Sequence, residues 1–200
     1  MLVKIVWAVF LILQPVVTEA QTNWKLARNE NNIKVYTAKN ESSGFKEVKV
    51  ETVMEGTLQK LMAVLMDVGS NNHWVYNTKR THLIRSNGTN EVLYYAETRV
   101  PWPFENRDMV IKMSFDLNTS SNTLKVLAIG MPDSLPEKSG IVRIKKFRAE
   151  WDVKYDGGNS IMINYFLSVN PGGNISPVIS NMFVTKGPFE SFSNLSKALK

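Results

Sequence analysis

Residues 170–200 read NPGGNISPVISNMFVTKGPFESFSNLSKALK. The Pro-Gly-Gly triplet at the start of this segment interrupts a long run of strand-like sequence. Ser176 suits a helix N-cap and Pro177 the first helical position, so the segment predicts a helix from Ser176 to Leu199. Such a helix is about 36 Å long at about 1.5 Å per residue. Gly187-Pro188 lies inside it, and a break or kink is expected there because proline cannot donate a backbone hydrogen bond.

Most of the chain before this helix has the alternating pattern of antiparallel strands. Trp24 to Arg28 is interpreted as a short helical start, and apolar residues at helical spacing after Thr57 predict a helix that ends at Gly69. There is no internal repeat, so the pattern predicts a single α+β domain with one large sheet and one long helix across it. The strands are predicted at 33–39, 45–54, 78–85, 91–100, 108–117, 123–130, 141–155 and 160–170.

The first twenty residues have the layout of a cleavable secretory signal. A lone Lys4 precedes an apolar stretch at 5–13, and small residues precede the expected cleavage point after Ala20. The apolar stretch is too short to cross a membrane comfortably. We therefore expect a signal peptide over 1–20, a domain over 21–200, and export to the periplasm or the extracellular space.

The charge balance and the residue types narrow the possible functions. The chain carries 24 Lys and Arg against 18 Asp and Glu, a net charge of +6. This favours an anionic partner such as a membrane or nucleic acid, although ordinary solvated lysines explain it equally well. There is no Cys, and the two histidines, His73 and His82, lie on different predicted elements. We therefore expect no metal, no cofactor and no catalytic residue.

One face of the predicted strands is consistently apolar. From residues alone this face is either a packed core or the lining of a pocket, and packed cores are the more common outcome. We do not interpret the basic strand around Lys145-Lys146 as a nucleic-acid-binding surface. Stacking on bases requires exposed aromatic side chains, and the neighbouring Phe147 is predicted to face the interior.

Two stretches resemble the steroidogenic-acute-regulatory-related lipid transfer (START) domain. The first is YYAETRVPWPFENRD at 94–108 and the second is VNPGGNI at 169–175, which leads into NMF at 181–183 and GPF at 187–189. The resemblance covers nearly all of the chain after residue 20. It implies a helix-grip fold, in which a curved antiparallel sheet wraps a long C-terminal helix and encloses an apolar cavity for one lipid. The residues then expected to line the cavity are Tyr94, Ala96, Met109, Ile111, Met113, Phe115, Val126, Trp151, Ile163, Tyr165, Val178, Met182 and Phe189.

The resemblance also bears on Arg107 and Asp108. Adjacent strand residues point to opposite faces, so the two cannot converge on one substrate atom, and we interpret them as structural. Some sterol-carrying members of the family have a buried carboxylate and a buried Arg in the tunnel. Those positions fall here on Tyr94 and Met113, so the resemblance does not extend to sterol specificity.

Trp102 and Phe104 lie between prolines in a stiff loop. They are predicted either to touch a membrane or to plug the pocket mouth from inside. The whole pattern favours a monomer that binds one lipid or similar apolar molecule, makes transient membrane contact, does not bind nucleic acid, and carries its ligand between membranes. The alternative is a small-molecule enzyme, of the cyclase or aromatase kind, on the same architecture.

Overall fold

A computed structural model describes residues 23–200, apart from the side chains of residues 182 and 183. The predicted signal peptide lies outside the described residues, so its role stays a prediction. The first three strands and first two helices are β1 (Lys25–Glu30), β2 (Ile33–Lys39), β3 (Lys46–Glu55), α1 (Leu58–Met66) and α2 (Asn71–Trp74). The remaining elements are β4 (Thr78–Asn87), β5 (Glu91–Thr98), β6 (Asn106–Asn118), β7 (Thr123–Gly130), β8 (Ile141–Arg143), β9 (Lys146–Tyr155), β10 (Ser160–Asn170), α3 (Pro177–Phe183) and α4 (Lys186–Ala198).

Nine of these strands form one curved, unclosed antiparallel sheet. Its spatial order is β1-β2-β3-β10-β9-β7-β6-β5-β4, and the short β8 pairs in parallel with β6. The predicted α+β class and helix-grip architecture are therefore confirmed. No helix within residues 23–200 combines the length and the apolar character that crossing a bilayer requires.

The C-terminal helix packs against the concave face of the sheet. Phe189, Phe192 and Leu195 of α4 are buried, and the Phe192 ring stacks on Trp151 with 5.1 Å between ring centroids. Helix α4 also contacts α2, β2 and β3. Residues spaced three and four apart place these side chains on one face of the helix, which is the face the sheet covers.

The predicted single helix is in fact two. Ser176 is the N-cap as expected, because its hydroxyl accepts a hydrogen bond from the Ile179 amide at 3.4 Å. The interruption, however, falls at residues 184–185 and not at Gly187-Pro188. Pro188 is the third residue of α4, where a backbone N–H has no intrahelical partner to lose, so proline is tolerated there.

Two other local predictions were wrong. Residues 25–28 of the segment predicted as a helical start at 24–28 belong to β1, which pairs with β2. The strand predicted over 141–155 is two strands, because β8 leaves the β9 line to pair with β6. In both places tertiary pairing overrides the local pattern.

A covering loop, residues 131–145, folds over the outer face of the sheet at β5 and β6. Tyr95, which faces away from α4, is as buried as the inner residues, and so is Glu97 on the same face beside Lys79 and Asn106. The Lys138 ammonium lies 3.9 Å from the centre of the Tyr95 ring. The covering loop thus shields the outer face of the sheet at this end, whereas the inner face is turned towards α4.

Candidate ligand-binding cavity

The space between the sheet and α4 is not filled by side chains. A cavity of about 310 Å³ lies between the inner face of β4–β7, β9 and β10 on one side and α2 and α4 on the other. Its wall includes side chains from the chain segments at 65–81, 94–113, 128–167 and 187–192. The volume is within the range of small-molecule binding sites, about 300–1,000 Å³.

The floor of the cavity is built by strand register. Met113 of β6 lies opposite Ala128 of β7, Ala128 lies opposite Ala149 of β9, and Ala149 lies opposite Leu167 of β10. All four residues line the cavity. Two adjacent alanines in this row leave a depression that larger side chains would occupy, so the open space follows directly from side-chain size.

Seven of the thirteen predicted lining residues lie in the cavity wall, and the structure brings them together from four strands. They are Tyr94, Ala96, Met109, Ile111, Met113, Trp151 and Tyr165. Their role in binding a ligand stays a prediction.

Five predicted lining residues lie elsewhere. Phe115, Val126, Ile163 and Phe189 are buried in the packed core and do not line the cavity. Val178 is 75% exposed, so its predicted place in the cavity was wrong. The prediction placed Val178 on the sheet-facing side of a helix interrupted at Gly187-Pro188, whereas the interruption lies at 184–185. The side chain of Met182 lies outside the described residues.

Phe189 was predicted to line the cavity, but its ring packs against β1 instead. The Arg28 guanidinium of β1 lies over its ring, with the central carbon 3.3 Å from the ring centre. This cation–π contact holds the edge strand against α4. Phe189 thus closes one side of the fold, while Phe192, one turn further along α4, reaches the cavity.

The cavity wall of the described residues contains no Asp, Glu, Lys, Arg or His side chain. Its ionisable groups are tyrosines, and burial raises the pKa of the Tyr94 hydroxyl above its ordinary value. The pKa of Tyr165 is also raised, first by burial and then by the nearby Tyr94. Both hydroxyls therefore stay protonated at neutral pH. Such a wall can bury an apolar molecule and donate hydrogen bonds from its tyrosine hydroxyls.

Sequence reasoning missed the polar contribution of α2 and β4 to this wall. Asn71, Trp74 and Thr81 all line the cavity. A four-residue helix is too short to show a period, so its inner face could not be identified from the pattern. Only the abundance of aromatic and amide residues at 71–76 could have drawn attention to it.

Arg107 lies outside the cavity and links two loops. Its guanidinium donates hydrogen bonds to the carbonyl oxygens of Glu105, Pro171 and Gly172. Gly173 packs against this guanidinium, and a Cβ there would lie 3.4 Å from the Arg107 Nη2 atom. The loop that carries Trp102 and the loop before α3 are therefore joined at the same end of the sheet.

Asp108 faces the opposite way and forms a fully buried ion pair. Its two oxygens accept hydrogen bonds from Arg143, 2.7 Å from Nε and 3.0 Å from Nη2. Arg143 also donates to the carbonyl oxygens of Pro132, Leu135 and Pro136. Hydrogen bonding to Asp108 raises the pKa of Arg143. The pair thereby fastens the covering loop to β6.

Arg143 was not singled out from the sequence, where it was grouped with the basic strand that contains Lys145 and Lys146. One signal was present: Arg143 is in phase with Phe147, Ala149 and Trp151, the apolar side of that strand. A charge in the apolar phase indicates either a buried partner or a break in the strand, and here both occur.

Trp102 and Phe104 differ in their environment. Trp102 is 91% exposed, and Phe104 is half-buried. Neither residue lines the cavity. Trp102 therefore does not plug the cavity from inside, which was one of the two expectations for this loop.

Comparison with known proteins connects this geometry to a family. A START domain family model matches residues 12–200. The chain is 29% identical over 192 residues to the phosphatidylcholine transfer protein of Rattus norvegicus, a match that covers 92% of this chain and 86% of that protein. It is 26% identical over 176 residues to an uncharacterised protein of Pseudomonas aeruginosa, covering 88% of this chain and 86% of the relative.

A solved structure has the same architecture. The STAR-related lipid transfer protein from Xanthomonas axonopodis superposes with a TM-score of 0.81 at 27% sequence identity. The superposition covers 88% of this chain and 98% of that chain. The likeness thus extends over most of the fold.

Proposed function

The chain belongs to the START domain family, and on this premise we propose that it binds one lipid or similar apolar molecule in the cavity and transfers it between membranes. The observation that carries the proposal is the uncharged cavity of about 310 Å³ between the sheet and α4. An apolar ligand gains about 25 cal/mol for each Å² of apolar surface removed from water. The sequence relationship to a phosphatidylcholine transfer protein supports the same class of activity.

Ligand titration tests this proposal directly. Delipidated protein is expected to take up one long-chain lipid per chain, seen as a single mass increment in native mass spectrometry. At a ligand concentration about 100 times Kd, Tm should rise by about 5–10 °C. If no lipid in a broad panel shifts either the mass or Tm, the cavity does not bind lipids.

Transfer also requires that the protein meet a membrane, and the loop containing Trp102 is the proposed contact. The indole is almost fully exposed, and Trp prefers the interface between water and lipid. Arg107 joins this loop to the loop before α3, and Val178 in the first turn of α3 is also exposed. The exposed Lys145 directly precedes β9, and the exposed Lys146 is the first residue of β9. Both add positive charge that favours anionic headgroups.

Trp102→Ala is therefore expected to slow lipid exchange with anionic vesicles several-fold and to leave the affinity for a soluble ligand nearly unchanged. Added salt should slow exchange by the wild type, because it screens the attraction to the vesicle surface. Fluorescent-lipid exchange measures both effects. Leu83→Ala is the matched control, since Leu83 is a half-exposed apolar residue on the edge strand β4. Equal exchange rates for Trp102→Ala and Leu83→Ala would remove the docking role.

A further inference from the structure

One end of the cavity carries polar atoms that lack hydrogen-bond partners. They are the Asn71 Oδ1 and the Trp74 Nε1 of α2 and the Thr81 Oγ1 of β4. Asn71 is 5% exposed and Trp74 is 8% exposed, so bulk water does not supply the missing hydrogen bonds. All three residues line the cavity.

The three residues are neighbours because of the local fold. Asn71 and Trp74 are three apart in α2, a spacing that places both on one side of a helix. Helix α2 packs against β4, the strand that contains Thr81. These three residues are called the polar end, and within one cavity wall they offer an amide acceptor, an indole donor and a hydroxyl that does both.

Unpaired buried polar groups are uncommon because each loses its hydrogen bonds to water without replacement. Three of them on one cavity wall indicate that the missing partner is the ligand. A polar group placed in the cavity can accept from the Trp74 indole and donate to the Asn71 amide oxygen. The same group would replace the hydrogen bonds to water that all three residues lose on burial.

The rest of the wall defines the charge of that group. Because the described lining contains no acidic or basic side chain, an ionised head group would enter with no opposite charge beside it. Burial of an unpaired charge is far more costly than burial of a hydrogen-bonded neutral group. The hydroxyls of Tyr94 and Tyr165 lie in the same wall and are neutral donors.

We propose that the cavity selects amphiphiles with a neutral head group that both donates and accepts hydrogen bonds, such as an alcohol or a primary amide, and seats that head against Asn71, Trp74 and Thr81. This inference rests on the proposed lipid-binding function and specifies its ligand class. The hydrocarbon chain lies along the apolar floor formed by the row from Met113 to Leu167.

A zwitterionic phosphocholine head is the main competitor, because aromatic rings can bind a quaternary ammonium. Three of the aromatic residues that line the cavity, Trp151, Tyr165 and Phe192, however, pack on one another with centroid separations of 4.8–5.2 Å. This mutual contact occupies part of the ring surface that a quaternary ammonium would need. The phosphate of such a head would also meet no Lys or Arg in the described wall.

The test uses ligands that share one dodecyl chain and differ only in the head group: dodecanol, dodecanamide, dodecanoate and dodecylphosphocholine, each below its micelle concentration. Binding to the delipidated protein is followed by the shift in Tm and by the change in intrinsic tryptophan fluorescence, to which Trp151 in the cavity wall contributes in every variant. Dodecanol and dodecanamide are expected to bind at least about tenfold more tightly than dodecanoate and dodecylphosphocholine.

Two variants locate the head group. Trp74→Phe removes the indole donor and keeps a ring, and Thr81→Val removes the hydroxyl at nearly constant shape. Each should reduce the advantage of dodecanamide over dodecanoate several-fold. The matched control is Thr52→Val, because the Thr52 hydroxyl is also buried without a partner but Thr52 does not line the cavity. This control should leave the ligand order and all affinities unchanged.

The outcomes separate the two levels of the proposal. Tighter binding of dodecanoate or dodecylphosphocholine would overturn the neutral-head inference and leave lipid binding intact. A preference for neutral heads that survives both Trp74→Phe and Thr81→Val would overturn the assignment to the polar end. If none of the four ligands binds, lipid binding in this cavity fails, and the inference fails with it.

Discussion

Asp108→Ala is expected to lower the free energy of unfolding by about 3–5 kcal/mol, because it leaves the Arg143 guanidinium buried without its carboxylate. Both side chains of this pair are inaccessible to solvent, and the pair makes two hydrogen bonds. The loss should appear as a lower denaturant midpoint with little change in the m-value.

The same variant should release the covering loop. Arg143 holds the carbonyl oxygens of Pro132, Leu135 and Pro136, and the Ile144 amide donates to the Asp108 carbonyl at 2.9 Å. Faster proteolysis within residues 131–145 is therefore expected before global unfolding.

The exposed pair of Arg148 and Glu150 is the control for Asp108→Ala. Their side chains are 52% and 46% exposed, and Glu150→Ala should cost less than about 1 kcal/mol. Similar losses for Asp108→Ala and Glu150→Ala would show that the buried pair does not fasten the loop. Asp108→Asn, which keeps an acceptor oxygen but not the charge, should fall between the two.

Ala149→Phe is expected to abolish lipid binding with only a small change in stability. The added ring enters the cavity floor, where Ala149 lies opposite Ala128. A cavity of about 150 Å³ is already enough to hold benzene, so a volume of about 310 Å³ can accept a phenyl ring. We expect affinity for a long-chain lipid to fall more than about tenfold, while the free energy of unfolding changes by less than about 1 kcal/mol.

Ala38→Phe distinguishes an open site from a packed one. Ala38 is also a buried alanine on a strand, but it does not line the cavity. The extra ring there should cost about 1–3 kcal/mol through overpacking and leave lipid affinity unchanged. If Ala149→Phe destabilises the protein as much as Ala38→Phe does, the space beside Ala149 is closed in solution and the proposed binding site is wrong.

The two cavity alanines illustrate what could be predicted before the structure. Strand alternation placed Ala128 and Ala149 on the inner face, because side chains on a strand alternate with period two. The pattern could not show that they lie opposite each other. That adjacency depends on the register of β7 against β9, which is set by pairing between distant segments.

The C-terminal helix illustrates the same limit in another way. Ser176 and Pro177 marked its start correctly, because capping depends on residues within one turn. The position of its break was wrong, since Pro188 falls in the first turn of α4, where proline is tolerated. Val178, before the break, is exposed, and Phe189, after it, is buried.

By itself the sequence determined the α+β class, most strand positions, the inner apolar face and the start of the C-terminal helix, because each depends on contacts between residues near in the chain. Only the tertiary structure decided that the inner face encloses a cavity, that Arg143 pairs with Asp108, and that Asn71, Trp74 and Thr81 line the same cavity wall with unpaired polar atoms. Residues 35 positions apart in the ion pair carry no local signal of each other. Unfilled space likewise depends on the sizes of side chains that strand register brings together. These side chains come from distant segments, so no single segment of the sequence predicts the cavity.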